Sequence, residues 1–238
     1  MTVNDSAYLG KGVKVGQHSI IKENARIGND VVIFPHVYIG ENSQIGDGTI
    51  VQYGAFIEHD CKIGKSSRIG TNTVLRRETN IGDNSIFGSL SASEGKNWIG
   101  NNVLIHSQCH LTTGIIVEDW VFIAPLFVGA NDPMMLHGRR RIEKFVPKGP
   151  HIKFGSGIAV NVSLLPGVVI GRECIIGASS LVTKDIPDFS IAFGVPARPV
   201  KNVEDRWRLQ EERYHEFRKR VSEEELAKIM EKILSDYN

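Results

Sequence analysis

The sequence predicts an all-β fold: a parallel β-helix of triangular cross-section, with one inserted loop and a helical C-terminal segment. Three observations carry that expectation. From Leu9 to Ile123 an apolar residue returns at every sixth position, through Val15, Ile21, Ile27 and Ile33 to Leu111 and Val117, with Ser93 the one interruption. Two residues before most of these stands a small or β-branched side chain, among them Ser19, Ala25, Ser43, Thr49, Cys61 and Ser67. Gly10, Gly28, Gly46, Gly64, Gly82 and Gly100 recur at intervals of eighteen.

A helix needs apolar residues near every 3.6 positions and a half-buried strand at every second. A period of six fits neither, so each unit reads as a short strand plus a corner, turning one large and one small side chain inward, as in a solenoid. The glycine interval groups three units into a coil and marks a corner where a backbone without Cβ turns most easily. The pattern resumes out of phase at Ile152 and runs through Ile158, Leu164, Ile170 and Ile176 to Val182. Residues 129–151 are therefore read as an inserted loop. About nine coils at roughly 4.8 Å each give a rod about 40 Å long, whose lower end needs cover from the first residues or a partner.

The solenoid is expected over residues 1–201 and a helical extension over 202–238. In the extension, Ser222 with Glu225 three later forms a capping box. Leu226, Ile229, Met230, Ile233 and Leu234 follow at helical spacing. Two helices, about 203–220 and 223–236, are expected to lay their apolar stripe on the coil's end or on a neighbouring subunit.

Composition excludes several classes. An apolar content of 41% is that of an ordinary globular chain, and a net charge of +1 argues against broad nucleic-acid binding. A basic segment leading into an apolar stretch is missing from the N-terminus, and the sequence has no run of eighteen apolar residues, so the reading is cytoplasmic, without export or membrane spanning. Cys61, Cys109 and Cys174 occupy the small inward position and are read as core filler in a reducing compartment.

The repeats, the loop after Phe122-Ile123-Ala124-Pro125, the stretch from Leu165 to Gly171, the run from Ile176-Gly177-Ala178 to Pro187, and the closing Gly194-Val195-Pro196-Ala197-Arg198 resemble the left-handed β-helix acyltransferases. That resemblance covers about residues 9–201. Within the superfamily, Ala130-Asn131-Asp132-Pro133 and a loop containing Arg139 to Arg141 most resemble enzymes that N-acetylate the amino group of a nucleotide-linked amino sugar for surface polysaccharide. The resemblance implies acetyl-CoA as acyl donor, no metal, and a homotrimer of parallel rods with the coenzyme in the groove between two subunits. Gly177, Ala178, Thr183, Lys184 and Arg198 match its cofactor-side motif, with Lys184 or Arg198 opposing a phosphate. Each also has an ordinary reading, Gly177 as a corner and Lys184 as a solvated charge.

On the acceptor side, Thr113 lies eighteen residues before Asn131 and therefore directly beneath it. Arg139 and Arg141, with Arg140, Lys144 and Lys148, form the chain's one basic cluster, suited to a nucleotide diphosphate or the coenzyme's phosphates, or simply a solvated loop. Histidine is the usual general base because its pKa lies near neutrality. Of eight, His18 and His36 read as a surface stack, His137 and His151 as loop residues, and His215 as helical. His59, in Ile57-Glu58-His59-Asp60-Cys61, resembles the catalytic segment of a sister group but lies about five coils, roughly 24 Å, below Ile176. His110 lies about two and a half coils below and is the chosen base, ahead of His106 and His59. Asn131 and Asp132 match the loop-entry motif that orients the substrate amine. An amine arriving neutral needs only positioning, and Asn-Asp-Pro is also an ordinary turn.

Three alternatives stay open. An O-acetyltransferase uses a similar site. A γ-carbonic-anhydrase-like hydrase needs three histidines, and positions 70–75 supply none beneath His106 and His110. A catalytically silent trimer predicts no coenzyme binding. The polar run from Gly88 to Asn97 reads as a bulge or a substrate contact.

Overall fold

The computed structural model describes residues 1–135, 145–209 and 211–237. Its repeating element is a two-residue strand whose first side chain faces out and whose second faces in. Lys62, for example, is exposed while Ile63 is buried. Each strand pairs in parallel with the strand eighteen residues later, as Ile63 does with Ile81. Three faces result. The first carries ten strands from Thr2–Val3 to Leu181–Val182, and the second nine from Tyr8–Leu9 to Val169–Ile170. The third has eleven and ends in the antiparallel hairpin Ser190–Gly194 with Ala197–Asn202. The first face exceeds the expected nine rungs because Val3, six residues before Leu9, already joins the ladder.

The glycines have a different job from the one expected. The corner residue in the left-handed region stands two positions later, and it is held by Asp30, Asn84 and Asn102 as readily as by Gly12 and Gly48; short polar side chains tolerate that conformation. Gly46 itself is needed for close approach, because a Cβ there would sit 2.6 Å from the Gly64 carbonyl carbon of the next coil.

Most of the small inward serines and threonines are buried with both hydrogen-bonding capacities used. Ser67 Oγ donates to the Gly82 carbonyl at 2.8 Å and accepts from the Ser85 N–H at 3.0 Å. The polar break is a volume exchange. Where the large inward position shrinks to Ser93, the small one enlarges to Asn97, whose amide donates to Ser93 Oγ at 2.9 Å and accepts from the Ile115 N–H at 2.7 Å.

Helix α1 spans Glu211–Arg220 and helix α2 Glu223–Leu234. The first therefore begins well after residue 203; before it the chain makes a 3-10 turn at Asp205–Trp207. Ser222 Oγ accepts from the Glu225 N–H and caps α2. The pair does not sit on the coil's end. It folds back along the rod's own flank, where Phe217, Val221, Leu226 and Ile233 pack with Ile116, Trp98, Trp120 and Phe154. The outward positions of the second face, polar at Gln44 and Lys62 below, become Trp98 and Ile116 here and supply the apolar seat. Arg220 grips both carboxylate oxygens of Asp119 at 2.5 Å, while burial pushes that carboxyl up. None of the described helices is long and apolar enough to cross a membrane.

Two measurements check this core. Burial pushes the Cys61 thiol up to about 12 and Cys174 to about 11, and raises Cys109 as well. The native protein should show no thiol reactive with a disulfide reagent at pH 8, and three after denaturation. Asn97→Ala, which strands the Ile115 N–H, should cost about 2–4 kcal/mol, read as a lowered denaturation midpoint.

Candidate functional site

The corner edge between the first and second faces stacks His59, Arg77, Gly95, Thr113 and Asn131 one above another at eighteen-residue intervals. Asn131 Nδ2 donates to the Thr113 carbonyl at 2.9 Å. The Asn131 carbonyl in turn accepts from the Lys148 N–H at 2.8 Å, so one residue ties the departing limb of the inserted loop to the returning one. Thr113 Oγ1 donates to the Glu94 carbonyl at 3.0 Å. Glu94 Oε1 lies 3.1 Å from His110 Nε2, at the outward position of the strand His110–Leu111. His110, Thr113 and Asn131 thus share one patch. Asp132 Oδ1 accepts from the Met134 N–H at 2.9 Å, an Asx turn at the loop entry. Arg139 and Arg141, with His137, Arg140 and Lys144, lie outside the described residues.

Three histidines offer different nitrogens. His110 engages Glu94 through Nε2, leaving Nδ1 to accept a proton. His59 engages Asp60 Oδ2 through Nδ1 at 2.7 Å. His106 Nδ1 accepts the Ser107 N–H at 2.9 Å, which commits its basic nitrogen. His18 and His36 stack with ring centroids 5.1 Å apart. His151 is not a loop residue: it opens the strand His151–Ile152, and its Nε2 meets the buried Glu118 at 2.9 Å.

The cofactor-side candidates divide between two edges of the first face. Gly177 and Ala178 turn the corner from the third face, where the Gly177 N–H donates to the Ala192 carbonyl at 2.8 Å. A Cβ at Gly177 would meet Phe193 Cβ at 2.7 Å, which is packing enough to require glycine. Thr183 and the exposed Lys184 follow the strand Leu181–Val182 on the opposite edge. Arg198, exposed on the last strand, donates to its neighbour's carbonyl at Ala197. His110, Val128, Ser163 and Leu181 are successive outward residues of the first face, so His110 lies three rungs, about 14 Å, below Leu181. Leu126, Val128, Val160 and Phe193 expose apolar surface around these upper coils. Among the described residues no three histidines, cysteines or carboxylates gather as a metal site.

The hexapeptide repeat continues over all three faces of the solenoid. A family described as bacterial transferase hexapeptide, of six repeats, matches residues 24–59. The chain is thus a hexapeptide-repeat β-solenoid, and its match to that family is confined to those residues. A Staphylococcus aureus protein, named only provisionally as an acetyltransferase, is 39% identical over 109 residues, which is 44% of this chain and 54% of its own length. A galactoside O-acetyltransferase of Lactococcus lactis is 36% identical over 107 residues, 42% of this chain and 51% of its own. This hexapeptide-repeat chain spans about half the length of the curated relatives it matches. Among solved structures, the GDP-perosamine N-acetyltransferase of Caulobacter crescentus, in complex with CoA and GDP-perosamine, aligns over 82% of this chain and 58% of its own at 19% identity and TM-score 0.27. That is too distant for its ligands to be transferred.

Sequence reasoning missed Glu94, which lies sixteen residues from His110, diagonal to the eighteen-residue column, and it missed the neighbouring Arg76 and Arg77. Asn131→Ala should loosen the loop limbs, read as a roughly fivefold faster amide exchange at Lys148, the equivalent of about 1 kcal/mol.

Proposed function

We propose that the protein is a cytoplasmic acetyl-CoA-dependent acetyltransferase acting on the amino group of a nucleotide-linked amino sugar, in surface polysaccharide biosynthesis. The observation that carries the reading is the His110–Glu94 pair, set beside Thr113 and Asn131 at the foot of the inserted loop. The hexapeptide-repeat match and the acetyltransferase names of its partial relatives support the donor.

The acceptor nitrogen attacks the thioester carbonyl. His110 Nδ1 takes the proton that nitrogen loses, and Glu94 at Nε2 steadies the imidazolium. As the tetrahedral intermediate collapses, the C–S bond breaks and the departing thiolate receives the proton. Asn131 and Asp132 orient the acceptor, with Thr113, Arg139 and Arg141 on its nucleotide side. Gly177, Ala178, Thr183, Lys184 and Arg198 hold the coenzyme, its pantetheine lying along the exposed apolar surface of Leu126, Val128 and Val160 in a groove shared with a second copy of a homotrimer. The proposed chemistry uses no metal. A hydroxyl acceptor is the second reading. It is favoured by the galactoside O-acetyltransferase relative and by the base itself, which a hydroxyl needs more than a neutral amine does.

Acetyl transfer measured against a panel of nucleotide amino sugars and simple galactosides separates the two readings. His110→Ala should lower kcat/KM by about 10²- to 10³-fold, Glu94→Gln by about tenfold, and His59→Ala by less than about twofold. Loss confined to His59→Ala would move the base to that residue. Activity surviving all three substitutions would leave a neutral amine held by position alone.

A further inference from the structure

We propose that Arg76 and Arg77 form an anion subsite that takes the phosphate of the acyl acceptor, in the notch opened by Gly95 beneath Thr113. The inference deepens the acyl-acceptor reading above and rests on it.

The notch comes from one missing side chain. In the column Asn131, Thr113, Gly95, Arg77 and His59, only position 95 lacks a Cβ. Its φ of 97° favours glycine, and a Cβ there would lie 2.8 Å from the Arg77 carbonyl oxygen and 3.5 Å from Arg76 Cβ. The glycine therefore lets this corner settle directly against the arginine pair. Arg76, Arg77, Glu58, Glu94, Thr113 and Tyr237 are among the residues lining a cavity of about 130 Å³ there. That exceeds the ~30 Å³ share of one water several times over.

The charges leave the pair available. Both arginines are exposed, and among the described residues neither guanidinium makes an ion pair. The facing carboxylates are engaged: Glu58 Oε2 accepts the Arg77 backbone N–H at 2.9 Å, and Glu94 holds His110 at 3.1 Å. Lys96, also on the wall, is buried and paired with Glu78 at 3.9 Å. Two adjacent guanidinium groups match the oxygens of a phosphate with several parallel N–H···O bonds.

Position selects the ligand. Arg76 lies one rung, about 5 Å, below Glu94, which itself touches His110. An anion gripped there leaves its carrier's nucleophile at the His110–Glu94 pair, a separation that a sugar phosphate spans. The coenzyme-side Lys184 stands on the same edge five rungs higher, about 24 Å away. The chemistry recognised is a phosphate or diphosphate, and the two sources, acceptor and coenzyme, are separable by experiment.

Inorganic pyrophosphate and acetyl-CoA are each titrated calorimetrically into the full chain, the Arg76→Gln/Arg77→Gln variant and a distant charge control, Lys14→Gln. The double variant should weaken pyrophosphate binding by about tenfold or more, with acetyl-CoA affinity and the circular dichroism spectrum unchanged and Lys14→Gln binding both normally. Pyrophosphate affinity unaltered by the double variant, or absent from the wild type across the millimolar range, overturns the subsite. Acetyl-CoA affinity falling in parallel with pyrophosphate assigns the pair to the coenzyme and also overturns it. Acetyl-CoA failing to bind the wild type refutes the transferase reading instead, independently of the pyrophosphate result.

Discussion

Everything in this molecule hangs on one repeated pairing, the backbone ladder that joins each residue to the one eighteen positions later. Once Ile63 lies over Ile45 and under Ile81, the inward column, the corners and the outward faces are all fixed to the same repeat. A side chain that departs from the pattern must be answered within one coil. Asn97 answers Ser93, and Ile115 answers Gly129, whose missing Cβ leaves room for the Ile115 side chain. Interiors this tightly filled tolerate exchange of volume better than its loss.

The same ladder builds the candidate site. A corner residue is stacked on its counterparts above and below, so a functional edge is assembled by choosing what stands in one column. Thr113 and Asn131 gain their contact from that stacking, and Gly95 contributes by offering nothing. The His110–Glu94 pair crosses between two columns and joins the flat first face to the edge. Chemistry on such a rod is placed by address in a lattice rather than by convergence of distant segments.

That difference explains what could be read from sequence. The period of six is a packing requirement, so it announced the solenoid and the inward residues directly, and a separation of eighteen foretold that Thr113 lies beneath Asn131. The diagonal Glu94–His110 contact follows from no single interval. Nor does the role of Gly46, since close approach between coils and a left-handed turn leave the same glycine in the sequence; only the position of Asp30 and Asn84 in the turn tells them apart. The helices α1 and α2 were legible as amphipathic, but where they dock depended on Trp98 and Ile116 standing outward on the second face. Those two side chains look unremarkable among the repeats.

The docking of the helices gives the rod a sense of direction about its axis. Of three sides that the repeat makes nearly equivalent, the second is spoken for, polar in its lower coils and roofed by α1 and α2 above. The first and third keep outward apolar residues such as Phe56, Ile86 and Phe122. Over the upper coils a lateral neighbour finds two bare sides out of three, so the terminal helices act there as a valence rule on the directions from which such rods can be approached.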